Sequence, residues 1–195
     1  TGALAGAGVY QERAGGPWFA VAFAGFLTAL LLAARIPVVA RILADPGTAA
    51  RLTLPHTLRV VGVLFLIVAA QGHLPAAFAL PAGLGDIAVG VAAPFVAWRL
   101  TREPRGAGAV AEAVRLHALG LLDLVVALGL GVLLGSPLLL AGTPSTDALR
   151  LLPLALVPTG AVPLAIALHL VTLRRLRPAA PPAGAPTGHL HPAAA

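Results

Sequence analysis

Pro81-Ala82-Gly83-Leu84-Gly85-Asp86-Ile87-Ala88-Val89-Gly90-Val91-Ala92-Ala93-Pro94 places one ionisable side chain, Asp86, among small residues in the middle of an otherwise apolar segment. Four further hydrophobic segments read as arranged around that carboxylate. With 58% hydrophobic residues, only 10% charged residues and a mean hydropathy of +0.93, the 195-residue chain has too little polar surface for a soluble domain. It reads as an all-α, polytopic membrane helix bundle. The net charge of +6 would suggest nucleic acid in a soluble chain, but here the arginines cluster in short segments between apolar runs. That pattern is a topology signal, and no nucleic-acid partner is expected. All 13 basic residues are Arg, and the absence of Cys excludes disulfides, thiolate metal sites and cysteine nucleophiles.

In chain order, residues 1–16 form a Gly/Ala-rich tail, residues 17–177 a five-helix transmembrane domain, and residues 178–195 a Pro/Ala-rich tail whose composition cannot bury a core. The expected spans run from Phe19 to about Ala34, His56 to Gly72, Ala77 to Trp98, Leu116 to Gly135, and Leu151 to Leu173. Each is near the ~20 residues needed to cross a hydrocarbon layer. The first has several more behind it and no basic leader, so it reads as a span and not a signal peptide. Pro37 breaks the helix just beyond the first span, and His73-Leu74-Pro75 is short enough only for a tight reversal. Ten arginines (Arg35, 41, 51, 99, 102, 105, 115, 174, 175 and 177) fall in the first connection, the third connection and the C-terminal segment. The positive-inside rule therefore predicts an outside N-terminus and a cytoplasmic C-terminus.

A carboxylate at mid-membrane costs a few kcal/mol or more unless it is protonated, paired or hydrated, so Asp86 and Asp123 need an explanation. At ~1.5 Å per residue, Asp86 lies about 18 Å and Asp123 about 12 Å from the border marked by Trp98 and Arg115. Gly83, Gly90 and Ala93 share the Asp86 face, while Gly120, Ala127 and Gly131 share the Asp123 face. Small residues at these spacings let helices approach closely, so both aspartates are expected to point at protein. As polar packing points they need carry no chemistry.

Gly83-Leu84-Gly85-Asp86 has the G-x-G-D letters and, with a second intramembrane Asp, resembles the catalytic pair of the intramembrane aspartyl proteases. That resemblance implies two carboxyls sharing a proton to activate water. In those enzymes the G-x-G-D aspartate follows its partner, whereas Asp86 precedes Asp123, and the tyrosine-aspartate motif of the presenilin branch is missing. His56, His117 and His169 fall near the cytoplasmic ends of their helices. His117 and His169 are the candidates for a b-type haem; otherwise no cofactor is predicted. An interfacial imidazole is the plainer explanation for each. His189 and His191 lie in the tail, where metal binding would be adventitious. Arg59 either snorkels to the surface or turns inward towards Asp123. An Arg59, Asp86, Asp123, His117 and His169 cluster is what a small proton-coupled carrier would need.

Arg59-Val60-Val61-Gly62, Leu74-Pro75-Ala76-Ala77-Phe78-Ala79, Gly83-Leu84-Gly85-Asp86, Ala93-Pro94, Gly120-Leu121-Leu122-Asp123, and Pro158 with His169 together resemble a group of short, uncharacterised bacterial multi-pass inner-membrane proteins. The resemblance covers roughly residues 55–173 and implies a bacterial inner membrane but no chemistry. Function is expected to be that of a non-catalytic accessory or structural subunit, partnered by other membrane proteins or by itself within the lipid bilayer. The alternative is a proton- or ion-coupled transporter, or a protease, using Asp86 and Asp123. The reading leans away from an enzyme.

Overall fold

The computed structural model describes residues 18–45, 47–135 and 145–177. Both tails and most of the connection between the expected fourth and fifth spans therefore lie outside the described residues. Among the described residues every regular element is helical. Four continuous helical stretches are long and apolar enough to cross a membrane: Thr48–Ala70, Ala76–Arg102, Ala107–Leu134 and Val157–Leu176. α1 (Trp18–Ala33) and α2 (Pro37–Leu43) are long and apolar enough only as a pair, and they are bent by 78° across residues 34–36, just ahead of Pro37. Pro37 opens the new helix, where its missing N–H costs nothing.

The stretch Thr48–Ala70 is not one α-helix. It starts as α3 (Thr48–Thr53), tightens into a 3-10 helix over Leu54–Gly62, and resumes as α4 (Val63–Ala70). Pro55 stands at the start of the tightened part and cannot donate to the carbonyl four residues back. With three residues per turn, side chains at every third position eclipse. Ala50, Thr53, His56, Arg59, Gly62 and Phe65 are all buried, in that period, while Leu54, Leu58, Val60 and Val61 face outward.

Gly72, at φ 77°, takes the left-handed conformation that ends this stretch, with the His73 N–H bonded to the Val68 carbonyl. The tight reversal expected at His73-Leu74-Pro75 comes directly after it. Two long helices come next, α5 (Ala76–Arg102) and α6 (Ala107–Leu134), both reaching beyond the spans expected from hydropathy. Pro81 and Pro94 remain inside α5.

The last span starts later than the hydropathy predicts. Ser145 accepts a hydrogen bond from the Asp147 N–H and opens a short 3-10 turn over Thr146–Arg150. Residues 151–156 are mostly turns, and helix begins only with a wide π turn at Val157–Ala161, continuing as α7 (Val162–Leu176). Pro153, Pro158 and Pro163 each remove a backbone donor in this segment, which explains the delayed start.

Alanine is the commonest residue of the buried apolar core, set among larger side chains. α5 packs against the 3-10 segment and α6, α7 packs against α6 and α3, and α1 packs on the outside against α7 and the π turn. Phe65, Leu74, Phe78, Ala79, Ala82 and Leu149 close one end. Ala50, Leu100, Ala109 and Ala113, with Leu176, close the other. The second end gathers the arginine-rich segments: Arg175 also reaches the Ala40 carbonyl of α2 at 3.4 Å, and Arg99 pairs with Glu112 across the α5–α6 connection. The segregation of arginines to one end of the bundle, expected from their spacing, is present in the fold.

Candidate functional site: a buried arginine, two aspartates and three histidines

Arg59 points inward. Its side chain is 8% exposed, with Nε donating to Asp86 Oδ1 at 2.6 Å and one terminal nitrogen donating to Asp123 Oδ2. The other terminal nitrogen reaches the Gly120 carbonyl at 3.3 Å and His169 Nε2 at 3.1 Å. One guanidinium therefore ties together the 3-10 segment, α5, α6 and α7. The two carboxylates are 16% and 14% exposed and meet different edges of the same planar cation.

The close approach depends on glycine. A Cβ on Gly85 would overlap the Asp123 carboxylate, and one on Gly62 would overlap Asp86 Cβ. A Cβ on Gly120 would stand 2.5 Å from the His169 ring and 3.0 Å from the Arg59 guanidinium. Gly83, the other glycine of the G-x-G-D letters, sits against Leu66 and the Gly62 carbonyl. Both glycines of that motif are thus accounted for by helix contact.

The hydrogen bonds continue from Arg59 as a chain with one direction. Arginine has only donors, so His169 Nε2 accepts and the neutral ring carries its proton on Nδ1. At the far end Thr53 Oγ1 donates to the Ala49 carbonyl at 2.7 Å, so it accepts from His117 Nε2 at 3.1 Å. His117 then has a free lone pair on Nδ1, which meets the His169 Nδ1 proton at 2.7 Å. The two ends require the same tautomers, and every donor in the relay Arg59, His169, His117, Thr53 has an acceptor.

His56 completes the cluster. Its ring stacks on His169 with centroids 3.8 Å apart and planes at 16°, and meets His117 edge-on at 5.4 Å. It is 1% exposed, and its Nε2 has no hydrogen-bond partner. A cavity of about 160 Å³ lies between the 3-10 segment and α7, lined by His56, Arg59 and Asp86 and otherwise by apolar side chains such as Phe65, Leu124 and Leu168.

All five residues of the expected polar cluster, Arg59, Asp86, Asp123, His117 and His169, meet in this centre. Arg59 takes the inward alternative, and its reach includes Asp86 as well as Asp123. The haem candidates His117 and His169 touch directly, with ring centroids 4.9 Å apart, so no macrocycle fits between them. A bis-imidazole iron would also hold its two nitrogens about 4 Å apart on opposite faces, given metal–nitrogen bonds of ~2.0 Å. His56 and Thr53 stand outside the expected cluster yet belong to the centre. Their signal is the spacing of three along Thr53, His56, Arg59 and Gly62, which an α-helical reading disperses around the helix.

No curated protein and no solved structure matches the chain. A family model does match, described as a domain of unknown function (DUF8737), over residues 16–177. That match takes in the whole bundle and every residue of the buried centre, and the chain belongs to the DUF8737 family.

Proposed function

We propose that the chain is a proton-linked, multi-pass protein of a bacterial inner membrane, with its N-terminus outside and its arginine-rich end and C-terminus cytoplasmic. The observation that carries this reading is the buried hydrogen-bond chain His169–His117–Thr53, which begins beside the Arg59–Asp86–Asp123 centre. Ionisable groups inside a membrane bundle are costly, and a chain of rings that can each accept and donate is what proton transfer needs. Arg59 holds its proton and therefore cannot be a relay step. It fixes the two carboxylates, while the imidazoles and Thr53 carry the protonic change. A small, largely apolar solute in the adjoining cavity would meet Arg59, Asp86 and His56 at its polar end.

The test is proton flux into proteoliposomes loaded with a pH-sensitive dye, under a potassium diffusion potential and with a chelator present. The wild type is expected to acidify the lumen at least tenfold faster than His117→Phe, which keeps a ring but has no nitrogen. A wild type no faster than protein-free vesicles removes the reading.

A second reading, an accessory or structural subunit or a homo-oligomer, is supported by the glycine-tight packing and by a guanidinium already hydrogen-bonded on all three nitrogens. In that case Asp86→Asn and Asp123→Asn leave assembly intact, and a stoichiometric partner co-purifies from native membranes in mild detergent. An aspartyl protease finds less support, because its carboxyls would share a proton whereas here Arg59 engages each of them.

A further inference from the structure

His56, His117 and His169 sit on three different helical elements, are each no more than 1% exposed, and offer one nitrogen apiece within 4.8 Å of the other two. We propose that these three imidazoles bind one divalent transition-metal ion of the borderline class, with Zn²⁺ as its reference member. His56 lies outside the hydrogen-bond relay, whereas His117 and His169 belong to it, so a bound ion would interrupt the relay; metal binding itself is measured without reference to proton flux.

Four observations carry it. The donor set is three neutral imidazoles with no carboxylate or thiolate, which suits Zn²⁺, Cu²⁺, Ni²⁺ or Co²⁺ and not Mg²⁺ or Ca²⁺. The ring separations come next: with metal–nitrogen bonds of ~2.0–2.1 Å, two imidazoles at 90–110° around an ion have centroids about 4.5–5.3 Å apart. His117 stands 4.9 Å from His169 and 5.4 Å from His56, and only the His56–His169 stack, at 3.8 Å, has to open. Third, His56 Nε2 is buried without a hydrogen-bond partner, which is costly in a bundle interior unless something engages it. Finally, His117 already has an outer partner: its Nε2 proton is held by Thr53, itself anchored on the Ala49 carbonyl, leaving Nδ1 turned inward.

Proton balance is met within the cluster. An ion between His117 and His169 takes the place of the proton now shared by their Nδ1 atoms. That proton moves to His169 Nε2, which then ceases to accept from Arg59, and the same Arg59 nitrogen keeps the Gly120 carbonyl it already reaches at 3.3 Å. Three imidazoles leave the fourth tetrahedral position for water or a passing ligand. Metal loading therefore loosens one of the contacts that hold Arg59.

The experiment uses the full chain in detergent, carrying a tag without histidine and His189→Ala with His191→Ala, so that the tail cannot bind metal. Co²⁺ is the spectroscopic probe and Zn²⁺ the stoichiometric one. One Zn²⁺ per chain is expected after removal of excess, together with a visible Co²⁺ d–d band that Zn²⁺ displaces. His56→Phe retains a ring against His169, and its gel-filtration profile reports whether it folds. It is expected to weaken Zn²⁺ binding by at least about 100-fold, since even outer-shell partners alter affinity by 10–100-fold. A wild type that shows neither the band nor a Zn²⁺-dependent rise in Tm overturns the proposal, as does unchanged stoichiometry in a well-folded His56→Phe.

Discussion

Sequence alone leaves Arg59 either snorkelling to the surface or turned inward; the fold turns it inward, onto both Asp86 and Asp123. Long basic side chains near helix ends usually snorkel, but this one is on the buried row of a 3-10 segment, so its backbone direction decides the matter. Removing one member of a buried ionic cluster leaves the others uncompensated. Arg59→Gln is therefore expected to destabilise the bundle by about 3–5 kcal/mol, the usual cost of breaking such a pair. Loss of helical signal during SDS titration in mixed micelles measures it. Arg59→Gln combined with Asp86→Asn and Asp123→Asn should recover most of the loss, because amides keep hydrogen bonds without stranding a charge. A triple variant as unstable as the single one would show that shape, not charge, is what Arg59 contributes. Gly85 makes the complementary point: the Asp123 carboxylate occupies the space a methyl group would need, so the motif's letters reflect steric contact.

The element that separates the legible part of the fold from the hidden part is the 3-10 segment Leu54–Gly62. Hydropathy and length identify four of the spans, because an apolar run of that length has few other uses, and small residues beside Asp86 and Asp123 identify the faces that turn inward. The tightened turn escapes because apolar runs are featureless in period: Leu54, Leu58, Val60 and Val61 face outward although their hydropathy equals that of core residues. Lipid accepts what water would reject, so the polar residues, not the apolar ones, reveal the buried side of a membrane helix. His56 escapes for the same reason, since only a period of three puts it in line with Arg59. Prolines also hide the later start of the last span, where hydrophobic letters at residues 151–156 are turns. The chain has no Cys, so every single-cysteine variant is unambiguous. A scan of positions 53–65 with a lipid-permeant maleimide is expected to show minima at 53, 56, 59, 62 and 65. Protection at 60 and 64 in place of 59 and 62 would restore an ordinary α-helix there and dissolve the alignment on which the site depends.

At the scale of the whole molecule, α1 decides how many times the chain crosses. Its 16 residues span about 24 Å at 1.5 Å per residue, somewhat short of a ~30 Å hydrocarbon core, and none of them is buried in the fold. A re-entrant pair and a full crossing followed by a surface helix are both compatible with that length. The direction of α2 distinguishes them. It leaves α1 at 78°, it exposes Val38 and Ile42, and Arg175 at the arginine-rich end bonds to its Ala40 carbonyl. A short helix turned sideways at the charged end, with apolar residues outward, fits an interfacial segment. As a full crossing, α1 would start at the opposite end, where the exposed Trp18 suits a membrane boundary. On the proposed reading this gives five crossings. In intact cells, a membrane-impermeant maleimide is expected to label Trp18→Cys and His73→Cys, and to label Arg105→Cys only after permeabilisation. Trp18→Cys behaving like Arg105→Cys would make α1 and α2 a re-entrant pair and the count four. Reversal of His73→Cys and Arg105→Cys would turn the whole bundle over, placing the arginine-rich end, and with it the Thr53 terminus of the histidine relay, outside the cytoplasm.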